Sequence, residues 1–303
     1  MRIVLDKTIT IIYYKAGFNN IVNFINPEQR SIRLYKPLKK GNIMIKNSIL
    51  LIVAAVYMQP VLAHQIWIQK TDDKYEIAFG ESVSNTDPLP FKKVDSVKGY
   101  TKNKFMDELH VSTEAYGESP DAGHVSFMPF MDYPVITAKM TNGYFVQVED
   151  TTTEKGYTYL KGDNLSDIDT TGQTVLKTIY SIKFAKHITE WDWTLFWPVE
   201  QRLEIIPLTD VTQLKQGDTL KYLIYFEGKA INGEHTAIYP NSDPNLTKDE
   251  NPKTELDGQY YVQQVTIGAP GLQTVVVKHK EMLNEEETKY TSMASVLTFY
   301  IAE

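Results

Sequence analysis

From residue 64 onward, apolar and polar residues alternate in short runs broken by turn-forming residues, and this pattern confines most of the chain to antiparallel β-structure. Runs at 64–69, 75–79, 125–130, 135–140 and 144–148 have strand length and a two-residue period, rich in the Tyr and Phe that suit a half-buried pleated surface. Asn142-Gly143, between the last two, has the composition of a tight hairpin turn. The pattern resumes at 203–206, 219–226, 260–267, 273–278 and 295–301, punctuated by Gly217-Asp218, Asn232-Gly233, Asp257-Gly258 and Pro270-Gly271. Strands at this spacing without an intervening helix predict an immunoglobulin-like sandwich.

Between these stretches the texture changes. Val175, Ile179, Ile182 and Lys186 fall on one helical stripe, with Tyr180, Phe184 and His187 beside it, which predicts a helix over 174–188. It runs into Trp191-Asp192-Trp193 and Trp197-Pro198, an aromatic plug that Pro198 closes against further helix. The expected fold is therefore mainly β: two antiparallel β-sandwich, immunoglobulin-like modules, 64–172 and 201–303, joined by a helix-containing connector at 173–200. The polar stretch 240–254 reads as a solvated loop, and its Asp243, Asp249 and Glu250 lack calcium-loop spacing. With no cysteine, stability rests on packing, and thiolate metal ligands are excluded.

The front of the chain carries an address. Residues 44–63 read as a secretory signal peptide: Lys46 is its basic start, 49–58 its apolar run, and Val61-Leu62-Ala63 its small-residue cleavage pattern. The apolar run is too short for a membrane span, so no span is expected after processing. Residues 1–43 precede that complete signal and are read as a non-structural upstream extension. The expected fate of the chain is export.

Nine of the 31 Lys and Arg precede His64, as do two of the 38 acidic residues, so the chain from His64 carries 22 positive and 36 negative side chains, a formal charge of −14. That balance disfavours a nucleic-acid partner and favours cations.

Cleavage after Ala63 would expose His64 as the first residue. A terminal histidine offers a metal two nitrogens, its imidazole and its α-amine, and the amine exists only after the cut. His279 closes the run Thr274-Val275-Val276-Val277-Lys278 and could face the sandwich tip where that terminus docks; His124 follows the Asp121-Ala122-Gly123 turn. These three are the candidate metal ligands. His187 reads as a cation at a helix C-terminus, where the dipole favours it. His110 reads as solvated, and His235 as a turn neighbour of Glu234. Met128 and Met131 could add thioethers for Cu(I), but Met among aromatics reads first as core packing. A second histidine beside His64 would complete the T-shaped set that copper favours, and zinc is also compatible with these donors.

No nucleophile elbow, zinc-protease pattern or phosphate-cradling glycine loop is present, which argues against a hydrolase. Two other classes stay open. One is a metal-free interaction module of a transport system; the other is a copper-dependent polysaccharide monooxygenase, which also begins with histidine on a β-sandwich.

Several blocks carry a resemblance: Ala63-His64-Gln65-Ile66-Trp67-Ile68, Asn142-Gly143-Tyr144, Ser181-Ile182-Lys183-Phe184-Ala185-Lys186, Leu203-Glu204-Ile205-Ile206-Pro207-Leu208-Thr209-Asp210, Leu214-Lys215-Gln216-Gly217-Asp218-Thr219-Leu220, Phe226-Glu227-Gly228-Lys229, Asp257-Gly258-Gln259 and Ser295-Val296-Leu297-Thr298-Phe299. Together they resemble an exported bacterial domain-of-unknown-function family described as a periplasmic component associated with cobalt and nickel uptake. The resemblance implies a periplasmic protein of β-sandwich modules that binds or hands over a divalent transition metal, nickel or cobalt before copper or zinc. It implies as partners the metal ion and a membrane transporter or outer-membrane receptor, and places a histidine near the last hairpin, where His279 stands.

Overall fold

A computed structural model describes residues 10–15, 18–23, 64–82, 85–102, 106–116, 119–192, 198–199, 201–232, 235–240, 253–257, 260–283 and 288–302. The expected signal peptide at 44–63, Trp193, Trp197 and most of the expected loop at 240–254 lie outside the described residues. Met1–Met58 and Gln59–Glu303 form two compact units. In the first, β1 (Thr10–Lys15) and β2 (Phe18–Asn23) pair antiparallel as a two-stranded sheet.

The regular elements among the described residues of the second unit are strands, apart from short 3₁₀ turns at Phe91–Lys93 and Leu165–Asp167. Before residue 172 it contains β3 (Gln65–Thr71), β4 (Lys74–Ser82), β5 (Asn85–Thr86), β6 (Val94–Tyr100), β7 (Met106–Glu108), β8 (Ser112–Tyr116), β9 (Ser119–Phe127), β10 (Val135–Glu149) and β11 (Tyr157–Gly162). The expected helix is instead β12 (Val175–Ile188). After it come β13 (Leu203–Pro207), β14 (Thr219–Phe226), β15 (Lys229–Ile231), β16 (His235–Pro240), β17 (Lys253–Asp257), β18 (Tyr260–Thr266), β19 (Gly271–Met282) and β20 (Lys289–Ile301). No described helix is long and apolar enough to cross a membrane.

These strands form three sheets. The largest has the order β16-β19-β20-β12-β10-β6-β7, with β11 also paired to β10. It takes strands from both sides of the 173–200 stretch, and β12 lies at its centre, parallel to β20 and antiparallel to β10. A sheet of order β3-β4-β9-β8 and another of order β13-β14-β18-β17 complete the unit.

Side-chain alternation shows how they stack. On β12, Ile182, Phe184 and Ile188 join a core with Leu203, Ile205, Leu220, Tyr222 and Ile224 of β13 and β14. Ala185, on the opposite face of β12, joins Ile136, Ala138 and Met140 of β10 in a second core with Ile66, Ile68, Ile77, Val125 and Phe127. Neighbours on one strand thus point into different cores, and the large sheet is the middle of three layers. Half-buried Trp191 packs against the first core, as the expected aromatic plug would.

Burial on both faces is why the helix expectation failed for β12. Every residue from Ser181 to Ile188 is buried, so the usual in-out alternation disappears and the apolar positions can be fitted to a helical stripe. The β-branched Val175, Thr178, Ile179, Ile182 and Ile188 agree with the strand.

The hairpin expected at Asn142-Gly143 is corrected too. β10 runs straight through it; the pairing passes from Thr141 opposite Ile182 to Gly143 opposite Ser181, which leaves Asn142 as the extra residue of a bulge. Gly143 has φ +84°, and a Cβ there would sit 2.5 Å from the Gly162 carbonyl oxygen. Gly143→Ala is therefore expected to lower stability by about 2 kcal/mol. Urea unfolding measures this, and an unchanged midpoint would contradict the bulge.

Candidate metal site

His64 stands immediately before β3, and the fold grips β3 along its length. The strand pairs with β4 through its backbone, placing Gln65 opposite Gly80 and Ile66 opposite Phe79. On its other side, middle-layer side chains take its carbonyls. The Lys183 ammonium donates to the His64 carbonyl, Thr298 Oγ1 donates to the Ile68 carbonyl at 2.8 Å, and the Tyr300 hydroxyl donates to the Lys70 carbonyl at 2.9 Å. Trp67 packs on Leu272, Val276 and Val296. A polar clamp beside an apolar one fixes where residue 64 can be.

The His64 ring is held as well. It lies 5.1 Å from the Phe79 ring, tilted by 31°, and its Nε2 is 2.7 Å from Asp87 Oδ2. Asp87 is positioned by β4, since its N–H donates to the Phe79 carbonyl at 2.7 Å just after β5 pairs with Gly80. Phe79, His64 and Asp87 thus meet because three neighbouring strands are in register. The imidazole is 29% exposed and the carboxylate 46%, so both reach water.

Lys183 is the unusual member. Its side chain is buried, and burial, with the Lys278 charge nearby, pushes its amine down to about 7.

His279 does not join this group. It follows Val275 and Val277 on the face of β19 that packs toward β14, and its ring lies 4.3 Å from Phe226. His64 belongs to the opposite side of the middle layer. The cation beside His279 is Arg202, held by Glu227 at 2.7 Å and Glu281 at 2.9 Å. Burial keeps the His279 imidazole below its ordinary range, Arg202 adding to the effect and Glu281 opposing it. His124 lies exposed on β9, opposite Glu114 of β8. Among the described residues no group of three or more His, Asp or Glu side chains converges as a metal-binding cluster.

Two other expectations are corrected here. His187 caps no helix; it is buried in β12, its Nδ1 2.8 Å from Thr298 Oγ1 and its ring edge-on to Tyr75 and Tyr300. Met128 and Met131 are exposed rather than packed in the core, because they lie on the connection from β9 to β10, where Phe130, 75% exposed, rests edge-on against Tyr133.

Asp87, Phe79 and Lys183 were missed by sequence reasoning. Asp87 and Lys183 lie 23 and 119 residues from His64, and strand pairing alone unites them.

A family profile described as Domain of unknown function (DUF4198) matches residues 61–281. The chain belongs to this family. The matched span begins three residues before His64 and takes in His64, Asp87, Lys183 and His279. A comparison with curated proteins finds no match.

The donors around His64 suit a divalent transition metal. An imidazole, the α-amine that cleavage after Ala63 would release and a nearby carboxylate are the kinds of donor that nickel, cobalt, copper or zinc accept. Ring size decides which imidazole nitrogen takes part. The α-amine and Nδ1 of one histidine close a six-membered chelate, which Nε2 is too far round the ring to do. The Asp87 contact occupies the nitrogen that such a chelate would leave over, as a carboxylate does when it orients a ligating histidine.

Proposed function

We propose that this is a periplasmic, non-enzymatic binding protein for a divalent transition metal, an accessory or carrier in nickel or cobalt uptake, with its site on His64 freed by cleavage after Ala63. The observation that carries the reading is the 2.7 Å contact of His64 Nε2 with Asp87, which holds the ring and leaves Nδ1 for a chelate with the α-amine. The chain's acidic balance from His64 onward and its family resemblance support the same reading. His64 would supply both nitrogens, and Asp87 would orient the ring. His279 and His124 fit this site less well, being placed on other surfaces. The bound metal would itself be cargo, handed to a membrane transporter or outer-membrane receptor. The two cores on either side of the shared sheet are our reading of the two expected sandwich modules.

Protein verified by mass spectrometry to begin at His64 should bind Ni(II) or Cu(II) at one site by calorimetry, with a matching rise in melting temperature. Keeping Ala63 in front of His64 converts the amine to an amide and is expected to weaken binding about 100-fold, ~2.7 kcal/mol. Equal affinity of the two forms would eliminate the terminal chelate.

A further inference from the structure

Lys183 has no role in a binding site built only from His64 and Asp87, yet a buried ammonium needs a reason. Removing an ammonium from water costs several kcal/mol unless strong partners replace the solvent. Among the described residues the acceptor it meets is the His64 backbone carbonyl, and the charge acting on it is the like charge of Lys278. A buried lysine serving packing alone would be replaced at lower cost by an apolar side chain.

The contacts of residue 64 resolve this. Phe79 lies against the ring face, Asp87 holds Nε2, and Lys183 holds the carbonyl oxygen. None of the three uses Nδ1 or the backbone nitrogen, the two atoms that a terminal histidine presents to a metal. A chelate of these two atoms closes about the two side-chain torsions of the histidine, and a third torsion, about the Cα–C bond, turns the amine relative to β3. Asp87 and Phe79 restrain the ring. The main chain at a free terminus has no preceding peptide to restrain it, and the carbonyl is its remaining handle.

We infer that Lys183 is a positioning residue for the His64 site, anchoring the first carbonyl of the processed chain so that the α-amine and Nδ1 are held together for a metal. The inference rests on the proposed metal-binding reading. Lys183 touches no metal in it; its ammonium sets the orientation of the terminal residue from beneath.

The test uses protein beginning at His64, with Cu(II) as the probe because its visible and electron paramagnetic resonance spectra report ligand geometry. Lys183→Met is expected to raise the Kd about tenfold and to broaden or shift the Cu(II) spectrum, whereas Lys183→Arg, which keeps a buried donor and charge, restores the wild-type spectrum. Melting temperatures of the metal-free variants separate this from loss of fold. Should Lys183→Met be too unstable to purify, the wild-type protein still decides. Its Lys183 ε-methylene NMR signal is expected to shift at the same metal equivalents as the ring signals of His64, with diamagnetic Zn(II) as probe. Wild-type protein that binds no metal at His64 defeats the metal-binding reading itself. Wild-type protein that binds, with Lys183→Met giving the same affinity and spectrum or with the Lys183 signal unmoved, defeats the positioning role alone.

Discussion

Glu204→Ala is expected to lower the unfolding free energy by about 3–5 kcal/mol at pH 7, the usual cost of breaking a buried ion pair by removing one partner. Lys186 Nζ lies 2.6 Å from Glu204 Oε1, and both side chains are fully buried between the middle layer and β13. The carboxylate also accepts the Val199 N–H, at 2.9 Å and 3.1 Å to its two oxygens. Burial pushes the Glu204 carboxyl up, while Lys186 and the backbone N–H groups of Val199 and Gln201 pull it back. Alanine would strand one ammonium and the two backbone N–H groups in a dry core. Whole domains are stable by about 5–15 kcal/mol, so this single change approaches the threshold of folding.

The pair itself contributes far less than its rupture costs. Lys186→Met combined with Glu204→Gln removes both charges and keeps an acceptor for Val199, so the double variant should lie within about 2 kcal/mol of wild type. Urea unfolding of the two single variants and the double variant measures the coupling directly. A loss below about 1 kcal/mol for Glu204→Ala would show that water reaches the pair.

How much was legible in the sequence depended on how many faces of a strand are buried. β3, β14, β18 and β20 were visible because alternation or a short apolar run between turn residues marks them, and Gly217 and Gly271 stand at the start of runs, where positive φ is used. β12 was hidden because Ile182, Phe184 and Lys186 feed one core while Lys183, Ala185 and His187 face the other. A strand with lysines and a histidine inside it carries no local sign of its place at the centre of a sheet. The site divides in the same way. His64 could be found from the cleavage pattern, a local feature, but its neighbours are products of register. Nothing within a few residues of Asp87 or Lys183 points to a partner so distant in sequence. The expected pairing of His64 with His279 failed for the complementary reason: strand-end residues close in a simple sandwich are separated once a third layer is present.

That third layer also sets the acid stability of the fold, through His187. Its Nδ1 meets Thr298 Oγ1, whose hydroxyl donates onward to the Ile68 carbonyl, so Nδ1 carries the hydrogen and the imidazole is the donor in that bond. Tyr75 and Tyr300 flank the ring, and no carboxylate is among these contacts to stabilise an imidazolium. Burial, with the Lys70 charge adding to it, pushes the group down to about 3. The unfolded chain has an ordinary histidine near 6.5. Between these two values the unfolded state binds a proton that the folded state refuses, so stability falls as pH falls through this window and is fully present above it. From pH 7 to pH 4 the loss from this residue is expected to be about 3 kcal/mol. The lowered Lys183 does not confuse the measurement, because its window lies between about 7 and 10.5, where stability instead rises with pH. His187→Gln retains an amide donor for Thr298 without a titrating ring. Its unfolding free energy should therefore fall less than that of wild type between pH 7 and pH 4, by about 3 kcal/mol. Parallel pH dependences for the two proteins would mean that His187 takes up its proton in the folded state, and that the clamp on β3 opens enough to admit water.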